Sequence, residues 1–213
     1  YATGIPIIVV DRRVETKDYT AFVGADNRKI GKAAGEWIAQ KIKSGALKCD
    51  GVCNIVELKG LMTSTPAIDR HEGFRAGIAD VLKENKAKII FEADTKWLEP
   101  NARKEMESAL SRFKKIDVVY SHNDPSAHGA WLASKSSGRE KDTLFVGIDG
   151  LQYEGQSYVK NQILDASFEY PTGASEAVDL AAKVLSKTKI EKEVTLTSRV
   201  FTKENVNQGG KIL

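Results

Sequence analysis

Short apolar runs alternate with stretches of helical periodicity along almost the whole chain, and polar residues stand just past the end of several runs. Asp11-Arg12 follows IPIIVV, Asn123-Asp124 follows VVYSH, and Asp149-Gly150 follows LFVGI. Parallel strands need a crossover of a dozen or more residues, usually a helix, so this alternation implies a mostly parallel sheet covered by helices on both faces. In open α/β sheets the ligand crevice lies outside the carboxyl ends of the strands, where side chains repeated at that position converge on one cavity. A chain patterned in this way reads as a receptor for a small polar molecule.

Strands are expected over residues 5–10, 20–23, 54–58, 89–93, 118–121, 144–148 and 166–170, with a last strand over 194–201 and a polar tail over 202–213. Gly24-Ala25-Asp26-Asn27 starts a helix in which Ile30, Ala34, Ile38 and Ile42 recur every four residues, and Ser44-Gly45 stops it. The small-residue loop at 60–65 opens a second helix with Phe74, Ile78, Val81 and Leu82 as its buried stripe, which places Arg70 near its first turn. Further helices are expected over 100–113, 125–136, the residues up to Lys160, and 171–185, the last with Ala174, Val178, Ala181 and Leu185 on one face.

The chain has 213 residues, enough to bury a sizeable core as one large domain or two small ones. The formal charge of +3 arises from 32 basic and 29 acidic residues without a block of five like charges, so neither a nucleic-acid nor a membrane partner is indicated. No apolar run approaches the ~18 residues that span a bilayer. No signal peptide is visible, and the opening Tyr1-Ala2-Thr3-Gly4 lacks an initiator Met, which fits removal of a leader. Cys49 and Cys53 flank Asp50-Gly51, a strong turn signal. A tight turn there would bring them within disulfide reach, and the alternative is a pair of unlinked small residues at a strand start. Two thiols without a nearby histidine do not make a zinc site.

Five segments, in order, carry a resemblance: IPIIVVDRRV, FVGADNRKIGKAAGEWI, NIVELKGLMTSTPAIDRHEGFRAGI, VVYSHNDPSAHGAWLA and FVGIDG. The chain resembles the type I periplasmic sugar-binding proteins of ATP-binding-cassette importers. The ribose- and galactofuranose-binding proteins are nearest, through NIVEL-x-G, AIDR-x-x-GF and VVY-x-HND. The resemblance covers essentially the whole chain and implies an α/β fold of two doubly wound parallel-sheet lobes that close around a sugar. On that template about three strand–helix units precede the strand that opens this sequence. At ~30 residues per unit, roughly 80–100 residues of the first lobe are expected to be missing. Residues 1–25 and 170–196 are then a remnant of the first lobe, and 26–169 with 197–213 form the second lobe and tail. Chain crossings fall near 24–27, 169–170 and 196–198. The chain is on this view a whole receptor of reduced size, a fragment, or one piece of a split chain whose missing first-lobe segment another chain supplies, and the remnant alone should expose unpaired edges and apolar surface.

A neutral sugar calls for planar polar side chains and an aromatic face, and hydrogen bonds to an ionised partner contribute ~1.5–3 kcal/mol against ~1 for neutral pairs. The resemblance makes Asp11 and Arg12 the sugar-binding pair of the first lobe; on the residues alone they are equally a turn with a surface ion pair. It makes Arg70 the arginine reaching from the second lobe, otherwise a helix-surface residue, and Asp149 a sugar-binding carboxylate, otherwise a turn residue. Asn123 is a diol-binding amide or a helix cap, with Asp124 the better cap candidate. Trp97 aligns with a stacking aromatic or is partial core. Glu169 falls where ribose binders have an amide and galactofuranose binders a carboxylate, or it serves the hinge.

Asp11, Asp149 and Glu169 do not make a glycosidase pair, because Arg12 and Arg70 favour ionisation of every carboxylate and nothing supplies a raised partner. G-x-S-x-G, a phosphate-binding glycine loop and H-E-x-x-H are all missing from the sequence, and His122 and His128 have no standard metal spacing. The implied protein is a non-enzymatic, cofactor-free and metal-free receptor, periplasmic or extracellular, that delivers a monosaccharide to the membrane permease of an importer. The alternative is the same module sensing a sugar for a histidine kinase or a lactose-repressor-type transcription regulator.

Overall fold

The computed structural model describes residues 4–213. Two sheets organise them. The smaller holds β1 (Ile8–Val10), β2 (Ala21–Ala25) and β8 (Glu193–Leu196) in the order β1-β2-β8, all parallel. The larger runs β10-β9-β7-β6-β5-β3-β4. Its members are β3 (Cys53–Lys59), β4 (Ala87–Asp94), β5 (Val118–Ser121), β6 (Leu144–Asp149), β7 (Ala166–Glu169), β9 (Arg199–Thr202) and β10 (Lys211–Ile212). Only β9 is reversed in it, pairing antiparallel with both β7 and β10.

The larger sheet is apolar on both faces, as burial under two helical layers requires. Side chains alternate sides along each strand. Ile55, Val118, Tyr120, Val146 and Ile148 face α1 (Asn27–Lys43), α2 (Thr65–Gly77) and α3 (Ala79–Lys83), whose Ile30, Ile38, Phe74, Ile78 and Val81 complete that core. Val56, Leu58, Val119 and Phe145 face α4 (Glu99–Arg112), α5 (Asp124–Ser136) and α6 (Gly155–Lys160), joined by Ala102, Met106 and Ala130. The expected second helix is broken at Ile78, which caps both α2 and α3 and brings Val81 onto the same core.

Two features place α2. The carboxylate of Asp26 accepts the Lys29 N–H at 2.9 Å and so fixes where α1 begins. The two helices then touch backbone to backbone: a Cβ on Gly31 would lie 2.4 Å from the Arg70 carbonyl oxygen, and one on Gly73 would lie 2.1 Å from that of Arg28. Larger residues at either position would push the helices apart and carry Arg70 with them.

Where one last strand was expected over 194–201, the chain makes two: β8 closes the smaller sheet against β2, and β9 joins the larger one against β7. Only Thr197 and Ser198 separate them, so one run of mixed apolar and polar residues, V-T-L-T-S-R-V-F, conceals a change of sheet. The 202–213 tail also contributes structure, burying Val206 and adding β10. In α7 (Ala174–Leu185) the apolar spacing allows two stripes, and the expected one faces out: Val178 is 69% and Leu185 80% exposed. Ala177 and Leu180 are the residues that meet Ala21 and Val23.

Candidate functional site

A cavity of about 220 Å³ lies at the carboxyl ends of the strands. Asp11 and Arg12 line it from the end of β1, in the smaller sheet; Arg70, Trp97, Asn123 and Asp149 line it from elements of the larger one. Six of the seven residues expected from the sequence therefore meet in one space. Glu169 does not. It lines a neighbouring cavity of about 320 Å³, with Oε2 at 3.9 Å from Arg199 Nε, and its place in the first cavity is taken by Tyr170. Adjacent residues at a strand end project to opposite sides, so only one of this pair can enter the cavity.

Arg70 is the centre of the site. Although on the second turn of a helix, it is only 3% exposed. Its Nε donates to Asn27 Oδ1 at 2.8 Å, and its Nη1 donates to the His122 carbonyl and lies 3.5 Å from Asp149 Oδ1. The rings of Trp97 and Tyr170 lie 5.3 and 4.7 Å from its guanidinium carbon, within cation–π range. With Nε and Nη1 engaged, Nη2 has no acceptor among the described residues, which leaves both its hydrogens for a ligand.

Asn123, rather than Asp124, is the N-cap of α5: its Oδ1 accepts the Ser126 N–H at 3.2 Å, and its Nδ2 donates to the Trp97 carbonyl at 3.0 Å. Asp124 instead points inward, accepting from Gly150 N–H and Ser167 Oγ at 2.8 Å. Asp11, Trp97 and Asp149 have φ of 73°, 69° and 133°, a region that non-glycine residues rarely enter. Strained positions of this kind gather at binding sites, where the surrounding structure holds them.

Residues 2–189 match the family profile described as a periplasmic binding protein domain. The chain belongs to the periplasmic binding protein family. It is 32% identical to the galactofuranose-binding protein of Escherichia coli over 202 residues, covering 91% of this chain and 60% of that protein. It is 27% identical to the ribose import binding protein of Salmonella typhimurium, covering 94% of this chain and 64% of that one. Among solved structures, the fructose-binding periplasmic domain of a hybrid two-component system superimposes with a TM-score of 0.89 at 43% identity, over 98% of this chain and 67% of that domain. A Mycobacterium smegmatis protein in complex with β-D-fucofuranose superimposes with a TM-score of 0.88 at 30% identity, over 98% and 68%. The α/β architecture is thus that of the periplasmic binding proteins, and the chain spans about 60–64% of the length of the two curated relatives.

Electrostatics distinguish the carboxylates of this periplasmic binding protein. The expectation that the arginines keep every carboxylate readily ionised fails at Asp149: burial raises it to about 6, Arg70 opposes the shift and Glu154 adds to it. Burial, then the proximity of Asp149, pushes Asp124 well above the ordinary carboxylate range. Glu57 goes the other way. Burial alone would raise it, but hydrogen bonds from His122 and His71 outweigh that and hold it at about 2.

Sequence reading overlooked this Glu57 cluster. Its Oε1 lies 3.1 Å from His122 Nε2 and 2.9 Å from His71 Nδ1, and Oε2 lies 3.3 Å from Arg75 Nε. The Gly60 N–H donates to His122 Nδ1 at 3.1 Å, so the ring proton sits on Nε2 and is donated to Glu57. Glu57, His71 and His122 are close enough to hold a metal ion. Since His122 already presents a protonated nitrogen to that point, the trio fits a hydrogen-bonded network around a buried carboxylate better than a metal. Its effect is to tie α2, which carries Arg70, to the loop whose carbonyl Arg70 binds.

Away from the cavity, Cys49 and Cys53 form a disulfide across the Asp50-Gly51 turn, with Cα atoms 5.1 Å apart. Among the described residues no helix is long and apolar enough to cross a membrane.

Proposed function

We propose that this chain is the ligand-binding part of an extracytoplasmic, non-enzymatic receptor that holds one monosaccharide between two closing lobes. The carrying observation is that charged side chains from both sheets, Asp11 and Arg12 on one side and Arg70 and Asp149 on the other, face one cavity walled by Trp97 and Tyr170. A ligand in contact with both sides favours the closed arrangement by its differential contacts. On this reading residues 1–25 and 170–196 belong to one lobe, and 26–169 with 197–213 to the other.

A volume of about 220 Å³, below the ~300–1,000 Å³ of drug-sized pockets, suits one sugar ring. The names of the relatives point the same way, to galactofuranose, ribose and fructose. An oxidising location is supported by the Cys49–Cys53 disulfide. Delivery to the permease of an ATP-binding-cassette importer is the reading that the name of the ribose import relative supports. Sensing is the second reading, and the 43% identity to a two-component periplasmic domain favours it.

The test is a thermal-shift screen of fructose, ribose, galactose and their relatives on the full-length protein. At least one monosaccharide should raise the melting temperature, and Arg70→Ala with Asp149→Ala should each abolish most of the rise. If no sugar raises it, or both variants respond as the wild type does, the reading fails. Sugar-dependent autophosphorylation of the full-length protein would decide for sensing, and capture of a permease for transport.

A further inference from the structure

Tyr170 was not among the residues expected from the sequence, yet it occupies the point where the two sheets meet across the cavity. Its backbone N–H donates to the Asp149 carbonyl at 3.0 Å, which fixes the start of the crossing that follows β7. Its phenol donates to Asp11 Oδ1, on the side of the smaller sheet. Its ring lies 4.7 Å from the Arg70 guanidinium. One residue therefore touches a cavity residue from the smaller sheet and two from the larger: its side chain meets Asp11 and Arg70, and its backbone meets Asp149.

We propose that Tyr170 is a specificity-determining residue that, beside Asp11, accepts from one of two hydroxyls on neighbouring sugar carbons. The proposal rests on the monosaccharide reading above. A phenol has one hydrogen and two acceptor lone pairs, and here the hydrogen is committed to Asp11. Of the two lone pairs on the phenolic oxygen, the Asn27 amide lies near enough to take one, and the other is left for a ligand in the cavity that Tyr170 lines; Asp11 keeps its second oxygen, which Arg12 Nε approaches only to 3.7 Å. Together they form a paired acceptor for hydroxyls on neighbouring ring carbons. Burial and then Asp11 raise the phenol above its ordinary range, so it stays protonated and the pair persists at neutral pH. A site built to bond a hydroxyl rejects the analogue lacking it far more strongly than an apolar wall of the same shape would, because its own polar groups are then left unpaired. The ring serves a separate purpose, covering one side of the Arg70 guanidinium and keeping its free Nη2 directed at the ligand.

The experiment uses the full-length protein, the tightest-binding of fructose, ribose and galactose, and the monodeoxy analogues of that sugar, with calorimetry on the wild type and on Tyr170→Phe and Tyr170→Leu. For one analogue, the wild type should lose affinity by about 5–10-fold relative to the parent sugar, and Tyr170→Phe should lose that discrimination while binding the parent about 5-fold more weakly. Tyr170→Leu, which also uncovers Arg70, should weaken every ligand. The ratio of two affinities measured on one variant does not depend on how much of it is folded, so a structural role alone leaves it unchanged. If the wild type binds sugar and Tyr170→Phe keeps the same parent-to-deoxy ratio for every analogue, the proposal is overturned and the sugar-binding reading stands. If the wild type binds no monosaccharide, both fall together.

Discussion

Arg70 donates its Nε–H to Asn27 Oδ1 at 2.8 Å, joining the second turn of α2 to the first residue of α1. Asn27 lies immediately after β2, where the chain leaves the smaller sheet, so the orientation of the central arginine is set from a chain crossing. A guanidinium that is 3% exposed and bonded on two nitrogens loses little rotamer freedom when a ligand engages the third.

Arg70→Lys should bind sugar almost as poorly as Arg70→Ala. An ammonium carries its three donors on one nitrogen and lacks the planar fork that spans Asn27, His122 and the ligand. We expect a loss of at least ~2 kcal/mol, or ~30-fold, by calorimetry. Retention of affinity within about threefold by the lysine variant would show that Arg70 acts only as a charge.

Stability should fall as pH rises through the range set by Asp149. Its folded value of about 6 lies above the ordinary 3.8, so the folded state binds the extra proton, and its contribution is fully present below pH ~4 and lost as pH passes 6. The shift corresponds to about 2–3 kcal/mol. Asp149→Asn should be more stable than the wild type at pH 7 in urea titrations, with a flatter pH profile, while binding sugar more weakly. A variant less stable at pH 7 would overturn the assignment of strain to this carboxylate.

Gly73→Ala should cost about 1–3 kcal/mol through overpacking against Arg28, and it should also weaken sugar binding by displacing α2. A control such as Ala76→Ser, at an exposed place on the same helix, should change neither. Unfolding curves and calorimetry on the same samples separate the two effects.

Reducing the Cys49–Cys53 disulfide should lower stability by about 2 kcal/mol for so short a loop and leave sugar affinity unchanged. Cys53 begins β3, at the end of the sheet away from the cavity. Loss of binding on reduction, with the fold retained, would refute this separation.

The strand-end residues were legible because strand direction and alternation alone place Asn123 and Asp149 at the carboxyl ends of strands in the larger sheet and Asp11 at that of a strand in the smaller one. Trp97 and Arg70 needed the resemblance, since an arginine on a helix reads as solvated unless its tertiary partners are known. Tyr170 and Glu169 exchanged places because a one-residue difference in where a strand ends reverses which side chain faces the cavity. The change of sheet at Thr197-Ser198 was invisible to periodicity, because both halves are equally apolar and no glycine or proline marks the break. Glu57 was hidden by its neighbours: a carboxylate between Val56 and Leu58 looks like a solvent-facing strand position until His71 and His122 are seen beside it.

The glycine contacts between α1 and α2 also bear on how such a receptor changes its ligand over evolutionary time. Backbones that touch cannot slide past each other or admit larger residues, so the depth of Arg70 is not available for adjustment by gradual substitution. Trp97 and Tyr170 lie beyond the ends of β4 and β7, on connecting segments that tolerate changes in length and conformation far more readily. New sugar preferences should therefore arise by rewriting those connections around a fixed arginine, and a directed-evolution library confined to them should sample more functional variants than one spread over the helices.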